Sequence, residues 1–399
     1  MRDDGTNDSR LADPCGGNRV DLPLVLRSKF ELVNTSPQPR STTTSTGTRE
    51  IRLRILVVGD DTVASTRYRI LAHLPALHAA GFDPKVVFQE SRPARRLLRL
   101  PLRLLDEIRD LRQAADSDLL LIHRRCYPAF FAPLLRRKNR PMVFDIDDAI
   151  YLPSPVESNS RIARYRYRRN FDTTAAAADL VLCGNRVLAE RVGEKRKVIV
   201  PTAVDCGRFH PDALGVVEHP TAGWVGHSSN LVYLEALAGP LREIAWRHPG
   251  FKLIVVADRR PRLEGVPVEY RPWTLEDEVG CFRGIGIGLM PLDDSRWTRA
   301  KCAFKLLQYM ALGIPSVASP VGMNREIIEQ GRNGLLAMTD EDWISGLDEL
   351  IGQPAKRREI GCAGRETVER SFDLPLVSDR LLKALIWVMK NPARAHKLS

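Results

Sequence analysis

Apolar and amphipathic stretches alternate along most of this chain. From residue 51 onward the apolar runs are IRLRILVVG, DLLLIH, PMVFDI, DLVLCG and KVIVP. After an aperiodic segment they continue with TAGWVG, FKLIVVAD, VPVEYRP, IGIGLMPL and IPSVASP. Several stretches between them repeat apolar residues every three to four positions, as amphipathic helices do. Near-continuous apolar strands that alternate with helices predict parallel sheets covered by helices on both faces.

The restart of this pattern divides the chain. We predict an α/β protein with two doubly wound domains in tandem, at 50–205 and 221–372, joined by a linker at 206–220. Residues 1–49 are polar and rich in Pro and Gly, so we expect a disordered tail. Residues 373–399 are predicted to form a C-terminal helix that could cross back to the first domain. Ligands of such sheets bind beyond the carboxyl ends of the strands, so we expect a site between the two domains.

Charge and cysteine content narrow the function classes. The net charge of +11 predicts attraction to nucleic acid, an anionic membrane or a phosphorylated substrate. The seven cysteines form no C-x-x-C pair, which argues against a disulfide framework or a zinc site and is typical of a reducing cytosol. No apolar run reaches the roughly 18 residues that span a bilayer, and the N-terminus lacks the apolar segment of a signal peptide. We therefore expect a cytoplasmic protein.

The stretch TRAKCAFKLLQYMALGIPSV, residues 298–317, is predicted to be a helix that runs into a strand. Such a helix would place Lys301, Lys305 and Gln308 on one side and an apolar stripe on the adjacent side. Lysines at the start of a helix oppose its dipole. A phosphate or diphosphate docked there would remove the conflict, whereas the alternative is a set of solvated surface cations.

This region resembles a known family. The stretch GLMPLDDSRWTRAKCAFKLLQYMALGIPSVASPVGMNREIIEQGRNGLLA is similar to the donor-binding region of the group 1 (family 4) glycosyltransferases, as are ILVVGDDTVASTRYRI, VIVPTAVDCGRFHP and GWVGHSSNLVYL elsewhere. The resemblance covers about residues 51–372. It implies the GT-B fold, with two Rossmann-like domains facing a cleft. It also implies transfer of a sugar from a nucleotide diphosphate donor to a glycan or lipid-linked acceptor, with retention of configuration and without a metal or other cofactor.

Two positions depart from the family pattern of paired glutamates. The second glutamate, which contacts the ribose, falls on Gln308, and the first, which contacts the transferred sugar, falls on Ala300. An amide can still bond ribose hydroxyls as donor and acceptor, but alanine cannot. We therefore expect sugar recognition to move to Asp293 or Asp294.

The phosphate ligands also differ from the family pattern. The family often has Arg and Lys after the first strand of the second domain, whereas this chain has His227 and Asn230 after Gly226. We keep Gly226 and His227 as candidate donor contacts. The remaining candidate phosphate ligands are cations: Arg299, Lys301 and Lys305.

The stretch VGMNREII, residues 321–328, resembles the family's loop and helix start near the donor sugar and phosphate. Gly322 permits close backbone approach, and the N–H groups of Met323 and Asn324 could face an anion. The alternative is an ordinary strand–glycine–helix turn.

The stretch VFDIDDAIYLP, residues 143–153, ends a predicted buried strand in three acids. Asp147 falls on or near a family position that often holds a histidine. Asp147 or Asp148 could therefore bind sugar hydroxyls or act as a base on the acceptor, with Asp145 on the same side. One alternative is simple capping of the loop. Another is a haloacid-dehalogenase-like phosphatase with Asp145 as nucleophile and Asp147 as general acid, against which Ala149 replaces the expected Thr or Val.

Basic residues concentrate in the first domain. Arg67, in STRYR, could reach a phosphate on the acceptor. Arginines interleaved with leucines at 92–113, together with LLRRKNR and RIARYRYRRN, indicate either docking on an anionic membrane or a solvated helix face. Nucleic acid is not expected, because the basic runs largely lack aromatic stacking platforms. We predict a glycosyltransferase of polysaccharide or glycolipid synthesis, peripheral at the cytosolic face. A catalytically weak sugar-nucleotide- or lipid-binding relative is the main alternative.

Overall fold

The computed structural model of the protein describes five stretches of the chain: 49–89, 99–136, 140–153, 160–214 and 221–391. The tail predicted for 1–49 lies outside these stretches except for Arg49, and so does the segment 92–98 of the basic region. The apolar runs identified in the sequence form the strands of two parallel sheets, one in each lobe.

The sheet of the first lobe has six parallel strands in the order β2-β1-β3-β4-β5-β6. Its strands are β1 (Ile51–Val58), β2 (Phe82–Gln89), β3 (Leu119–His123), β4 (Met142–Ile146), β5 (Leu180–Cys183) and β6 (Lys197–Ile199). The helices are α1 (Ala64–Arg69), α2 (Leu74–Ala79), α3 (Arg99–Ala115), α4 (Ala132–Leu135), α5 (Arg161–Ala177) and α6 (Arg186–Val192).

Strand β2 is the element of this lobe that the apolar pattern did not indicate. It lies at the edge of the sheet, pairs only with β1, and buries only Phe82 and Val87 along its length. It also contains Pro84, which cannot donate a ladder hydrogen bond and is tolerated at a sheet edge. Because one side of an edge strand faces solvent, its sequence lacks the continuous apolar run of the central strands.

The sheet of the second lobe is also parallel, in the order β12-β11-β10-β7-β8-β9. Its strands are β7 (Thr221–Val225), β8 (Lys252–Ala257), β9 (Val268–Pro272), β10 (Ile287–Met290), β11 (Ser316–Ala318) and β12 (Leu335–Leu336). The helices are α7 (Leu231–Glu235), α8 (Ala238–Arg247), α9 (Phe304–Ala311), α10 (Met323–Ile327), α11 (Asp340–Gly352) and α12 (Pro354–Ser371).

The start of α9 differs from the helix predicted for this region. The helix begins at Phe304, so the prediction that Lys301 lies on it was wrong. A short 3-10 turn covers Thr298–Ala300, and Ala303 has a left-handed backbone with φ of 51°. The cause is long-range, because Asn185 at the end of β5 donates a hydrogen bond of 2.8 Å to the carbonyl of Ala300. The first lobe thus holds this segment out of the helix.

The last helix, α13 (Leu374–Lys390), follows α12 and packs on the first lobe. Its apolar side chains, among them Val377 and Leu385, belong to the same buried cluster as Leu53 and Ile55 of β1. No helix within the described stretches is long and apolar enough to cross a membrane.

Candidate functional site

The lobes touch beyond the carboxyl ends of their strands. Tyr68 of α1 packs on Phe304 of α9, with ring centroids 4.2 Å apart. Gly184, directly after β5, is required here because a β-carbon at this position would lie 2.4 Å from Sγ of Cys302. Burial raises the pKa of the Cys302 thiol, which donates a hydrogen bond of 3.1 Å to the backbone oxygen of Asp147. Segment 300–302 of the second lobe is therefore fixed against the strand ends of the first.

Lys305 occupies the centre of the second-lobe part of the site. Its amino group lies 4.0 Å from the ring centroid of Trp224, near the end of β7. A β-carbon on Gly226 would lie 2.5 Å from that amino group. The absence of a side chain at Gly226 therefore allows the lysine to lie across the backbone at the end of the strand.

The position of Lys305 follows from the way α9 is held on the sheet. Tyr309, one turn further along α9, donates from its hydroxyl to the carbonyl of Gly223 at 3.3 Å and accepts from the amide of Val225 at 3.0 Å. Its ring covers Gly288, where a β-carbon would lie 2.5 Å from the ring. Because residues four apart share one face of a helix, fixing Tyr309 on the sheet also directs Lys305 toward the strand ends.

The amino group of Lys305 can gain or lose its proton near neutral pH. Burial, with Lys301 nearby, lowers the pKa of the Lys305 amino group to about 7. Lys301 itself lies 5.8 Å from the ring centroid of Trp297. Neither lysine has an acidic partner among the described residues. Two neighbouring amines without a counter-ion form a suitable place for a phosphate or diphosphate.

The other predicted donor contacts of the second lobe have different surroundings. The amide of Gln308 is almost buried, and no described residue hydrogen-bonds to it. Arg299 is paired through two nitrogens with Asp294, at 2.5 and 2.8 Å. Asp293 is exposed and accepts from the hydroxyl of Ser295 at 3.3 Å. His227 is exposed and lies 3.7 Å from Asp258.

The glycine of the loop before α10 packs against protein. A β-carbon on Gly322 would lie 2.4 Å from the carbonyl oxygen of Arg299, so the close approach is to that backbone. Met323 and Asn324 are both buried at the start of α10. The amide nitrogen of Asn324 donates to the carbonyl of Ser319 at 3.1 Å, whereas its Oδ1 has no hydrogen-bond partner in the described part of the chain.

In the first lobe, Asp145 is enclosed by two basic side chains. Arg69 of α1 donates to both of its carboxylate oxygens, and Nδ1 of His123 lies 2.7 Å from Oδ2. Burial opposes ionisation, but Arg69 and His123 outweigh it and hold the pKa of Asp145 below its ordinary value. Asp145 is thus a buried structural anion with both oxygens engaged.

His123 connects this anion to Asp147. Its Nε2 lies 2.8 Å from the hydroxyl of Ser65, which donates in turn to Oδ2 of Asp147. These contacts connect the side chains of Asp145, His123, Ser65 and Asp147 in series. Sequence reasoning missed His123 and Ser65. The available signal was a strand-terminal histidine on β3, which pairs in register with Asp145 on β4.

Asp147 and Asp148 lie next to Arg124, which has a left-handed backbone with φ of 58°. Arg124 is 3.5 Å from Oδ1 of Asp147 and 3.7 Å from Oδ2 of Asp148. Burial opposes ionisation, but Arg124, His123 and Arg69 outweigh it and lower the pKa of Asp147. Oδ1 of Asp147 has no hydrogen-bond partner within the described stretches. This oxygen is shielded from solvent and lies within ion-pair distance of Arg124, so Asp147 is an ionised carboxylate held at the edge of the lobe contact.

Arg67 reaches across to the second lobe. It donates to Glu278 at 2.7 Å, and Arg208 lies 3.1 Å from the other oxygen of the same carboxylate. The guanidinium of Arg67 is therefore part of an interlobe ion pair. No group of three His, Cys, Asp or Glu side chains that could hold a metal ion occurs within the described stretches.

Comparisons with known sequences match parts of the chain. Residues 219–353 match the family model described as glycosyl transferases group 1. Spore coat protein SA of Bacillus subtilis (strain 168) is 32% identical over 76 residues, which is 18% of this chain and 20% of that protein. The matched stretch therefore spans about a fifth of that relative.

Solved structures resemble the whole described fold. Sucrose-phosphate synthase from Thermosynechococcus elongatus has a TM-score of 0.65 at 14% identity, covering 85% of this chain and 99% of that one. Anabaena HepE, in complex with UDP and glucose, has a TM-score of 0.61 at 15% identity, covering 85% of this chain and 100% of that one. These likenesses confirm the predicted fold, two Rossmann-like domains of the GT-B type.

Proposed function

We propose that this protein is a family 4 glycosyltransferase that moves a sugar from a nucleotide diphosphate donor to a glycan or lipid-linked acceptor. The observation that carries the proposal is the pair of unpartnered lysines at the strand ends, with Lys305 held over Trp224. The group 1 match of residues 219–353 supports it, and so does the fold shared with HepE, which was solved with UDP and glucose. Retention of configuration and independence of a metal are part of the same proposal.

The two lysines would act on the leaving group. Negative charge grows on the nucleoside diphosphate as the bond to the sugar breaks, and amines already in place stabilise it without reorganisation. Asp147, which is held ionised beside Arg124, would accept a hydrogen bond from the acceptor hydroxyl. The amide of Gln308, one turn after Lys305, would contact the ribose.

Thermal unfolding in the presence of UDP, GDP, ADP and their sugars tests this proposal. Because a ligand stabilises the state that binds it, the matching nucleotide should raise the melting temperature of the wild type. The shift should be much smaller in Lys305→Ala. If no nucleotide produces a shift that depends on Lys305, the proposed donor site is wrong.

The second candidate is a non-catalytic protein that binds the donor, and it is supported by the alanine at position 300. Ala300 is fully buried, and its carbonyl accepts a hydrogen bond from Asn185. Its methyl side chain has no group that could bond a sugar hydroxyl. Such a protein would bind the donor without releasing nucleoside diphosphate over time. A phosphatase is not proposed, because Arg69 and His123 engage both oxygens of Asp145.

We further propose that the protein works at the cytosolic face of a membrane in polysaccharide or glycolipid synthesis. Ile162 and Tyr165 are 81% and 64% exposed on α5, among several arginines. On α3, Leu105 and Ile108 are also exposed. Exposed apolar side chains among cations suit a surface of anionic lipid. Flotation with vesicles that contain phosphatidylglycerol tests this, with phosphatidylcholine vesicles as the control.

A further inference from the structure

A cavity of about 390 Å³ beside the loop that follows β4 is lined by five arginines from both lobes. Three of the arginines come from α5 and α6, and two come from the segment between β10 and α9: Arg164, Arg168, Arg191, Arg296 and Arg299. Tyr151 forms part of its wall. The proposed chemistry of donor binding, at Lys301, Lys305 and Gln308, uses none of these side chains.

Leaving Arg164 aside, the other four arginines of this arginine pocket pair with only two carboxylates, Asp172 and Asp294, within the described stretches. Asp172 is shared by Arg168, at 3.7 Å, and Arg191, at 2.5 Å. Arg299 pairs with Asp294. Arg296 has no acidic partner in the described part of the chain. Like charges gathered around a cavity repel each other, and a bound anion would relieve that repulsion.

The side chains suit phosphate in particular. A guanidinium group presents parallel N–H donors that match two oxygens of one phosphate. Arg191 is also held in place by aromatic rings, since its Cζ lies 4.9 Å from the ring centroid of Tyr151 and 5.0 Å from that of Phe171. A fixed guanidinium loses less entropy on binding than a free one.

The position of the pocket points to the acceptor. Tyr151 follows Asp148 by three residues, and the amide of Ile150 between them donates to the backbone oxygen of Asp148 at 2.8 Å. We propose that the arginine pocket binds the phosphate or diphosphate group of the acceptor and so places an acceptor hydroxyl near Asp147. The identification with the acceptor rests on the proposed function, whereas binding of phosphate at the pocket does not.

Inorganic pyrophosphate is the probe for the first experiment. Titration calorimetry uses a Lys305→Ala background, which weakens binding at the competing donor site. Lys305→Ala should still bind pyrophosphate. Adding Arg168→Gln and Arg296→Gln to it should weaken this binding at least tenfold. The matched control adds Arg166→Gln and Arg260→Gln, exposed arginines that do not line the pocket, and should bind as the background does. Loss of pyrophosphate binding in Lys305→Ala alone would overturn the proposal. Equal affinity in the Arg168→Gln/Arg296→Gln variant and the matched control variant would also overturn it.

A second experiment identifies the source of the phosphate. Phosphatidylcholine vesicles that contain a polyprenyl diphosphate should retain the protein, and the Arg168→Gln/Arg296→Gln variant should be released, if the acceptor is a lipid. If pyrophosphate binds at the pocket but these vesicles do not, the acceptor is a soluble phosphorylated sugar. A protein that binds pyrophosphate at the pocket but no nucleotide at Lys305 would keep the pocket and lose the proposed transferase function.

Discussion

The amino group of Lys305 lies 4.0 Å from the ring centroid of Trp224, at the end of β7. An ammonium over an indole ring is stabilised by the ring, but burial without a counter-ion costs more than this contact returns. Burial and the nearby charge of Lys301 lower the pKa of Lys305 to about 7. An anionic ligand would restore the charge, so Lys305 is a group whose protonation state changes on binding.

Replacing Lys305 tests its part in donor binding. Lys305→Ala should weaken nucleoside diphosphate binding by about 1.5–3 kcal/mol, or roughly tenfold or more, because it removes a charged hydrogen bond. Lys305→Arg should retain part of the affinity. Titration calorimetry measures this, with Lys252→Ala on the exposed start of β8 as the control. Equal affinity for Lys305→Ala and the control would contradict the assignment.

The pH dependence of donor binding follows from the same pKa. Lys305 is protonated below about 7, so an anion should bind best there and less well as the pH rises from 6.5 to 8.5. If the neutral amine contributes nothing, affinity should fall roughly tenfold over this range. Calorimetry in buffers of different ionisation enthalpy should show proton uptake at pH 8. In Lys305→Ala both effects should disappear, and their persistence would assign the titration to another group.

Neutralising Asp145 should mainly lower the stability of the protein, whereas neutralising Asp147 should mainly lower its transfer rate. Asp145→Asn leaves the buried guanidinium of Arg69 without its partner, so it should cost about 3–5 kcal/mol of stability. Asp147→Asn should cost less stability, because Arg124 retains Asp148 as a partner, but should lower the transfer rate about 10²–10⁴-fold, if Asp147 acts as a base. Urea unfolding and turnover with saturating donor separate the two effects. Full activity of Asp147→Asn would exclude the proposed role.

Close packing at Gly184 can be tested by a compensating pair. Gly184→Ala places a β-carbon 2.4 Å from Sγ of Cys302 and should destabilise the protein by about 1–3 kcal/mol. Cys302→Ala removes that sulfur, so the double variant should recover part of the loss. Gly352→Ala, where a β-carbon would meet nothing within 4 Å, is the control in thermal unfolding. Additive losses in the double variant would show that the two residues do not meet.

Sequence reasoning succeeded where the signal was local. The central strands are continuous apolar runs, so their existence and parallel arrangement were predictable. The helix bearing Lys305 was predicted from its own periodicity, but its first residue was not. That start depends on Asn185, which lies 115 positions before Ala300. No local pattern contains such a contact.

Partners far along the chain explain what the local patterns did not show about His123 and Arg67. His123 reads as the end of an apolar strand until β3 and β4 are paired in register, which places it beside Asp145. Arg67 was predicted on the acceptor side as a possible phosphate ligand, but its guanidinium meets Glu278, which lies 211 positions away. The charges of both residues were visible in the sequence, whereas their partners were set by the meeting of the two lobes.

The hydrogen bond from Cys302 to Asp147 has a thermodynamic consequence. Lys301, in the proposed donor site, directly precedes a residue hydrogen-bonded to the backbone of the proposed acceptor carboxylate. A shift of this segment on donor binding would move Asp147 as well, and by thermodynamic reciprocity the acceptor would alter donor affinity to the same degree. The two substrates are then not bound independently, because each changes the affinity for the other through the few atoms that join residues 147 and 302.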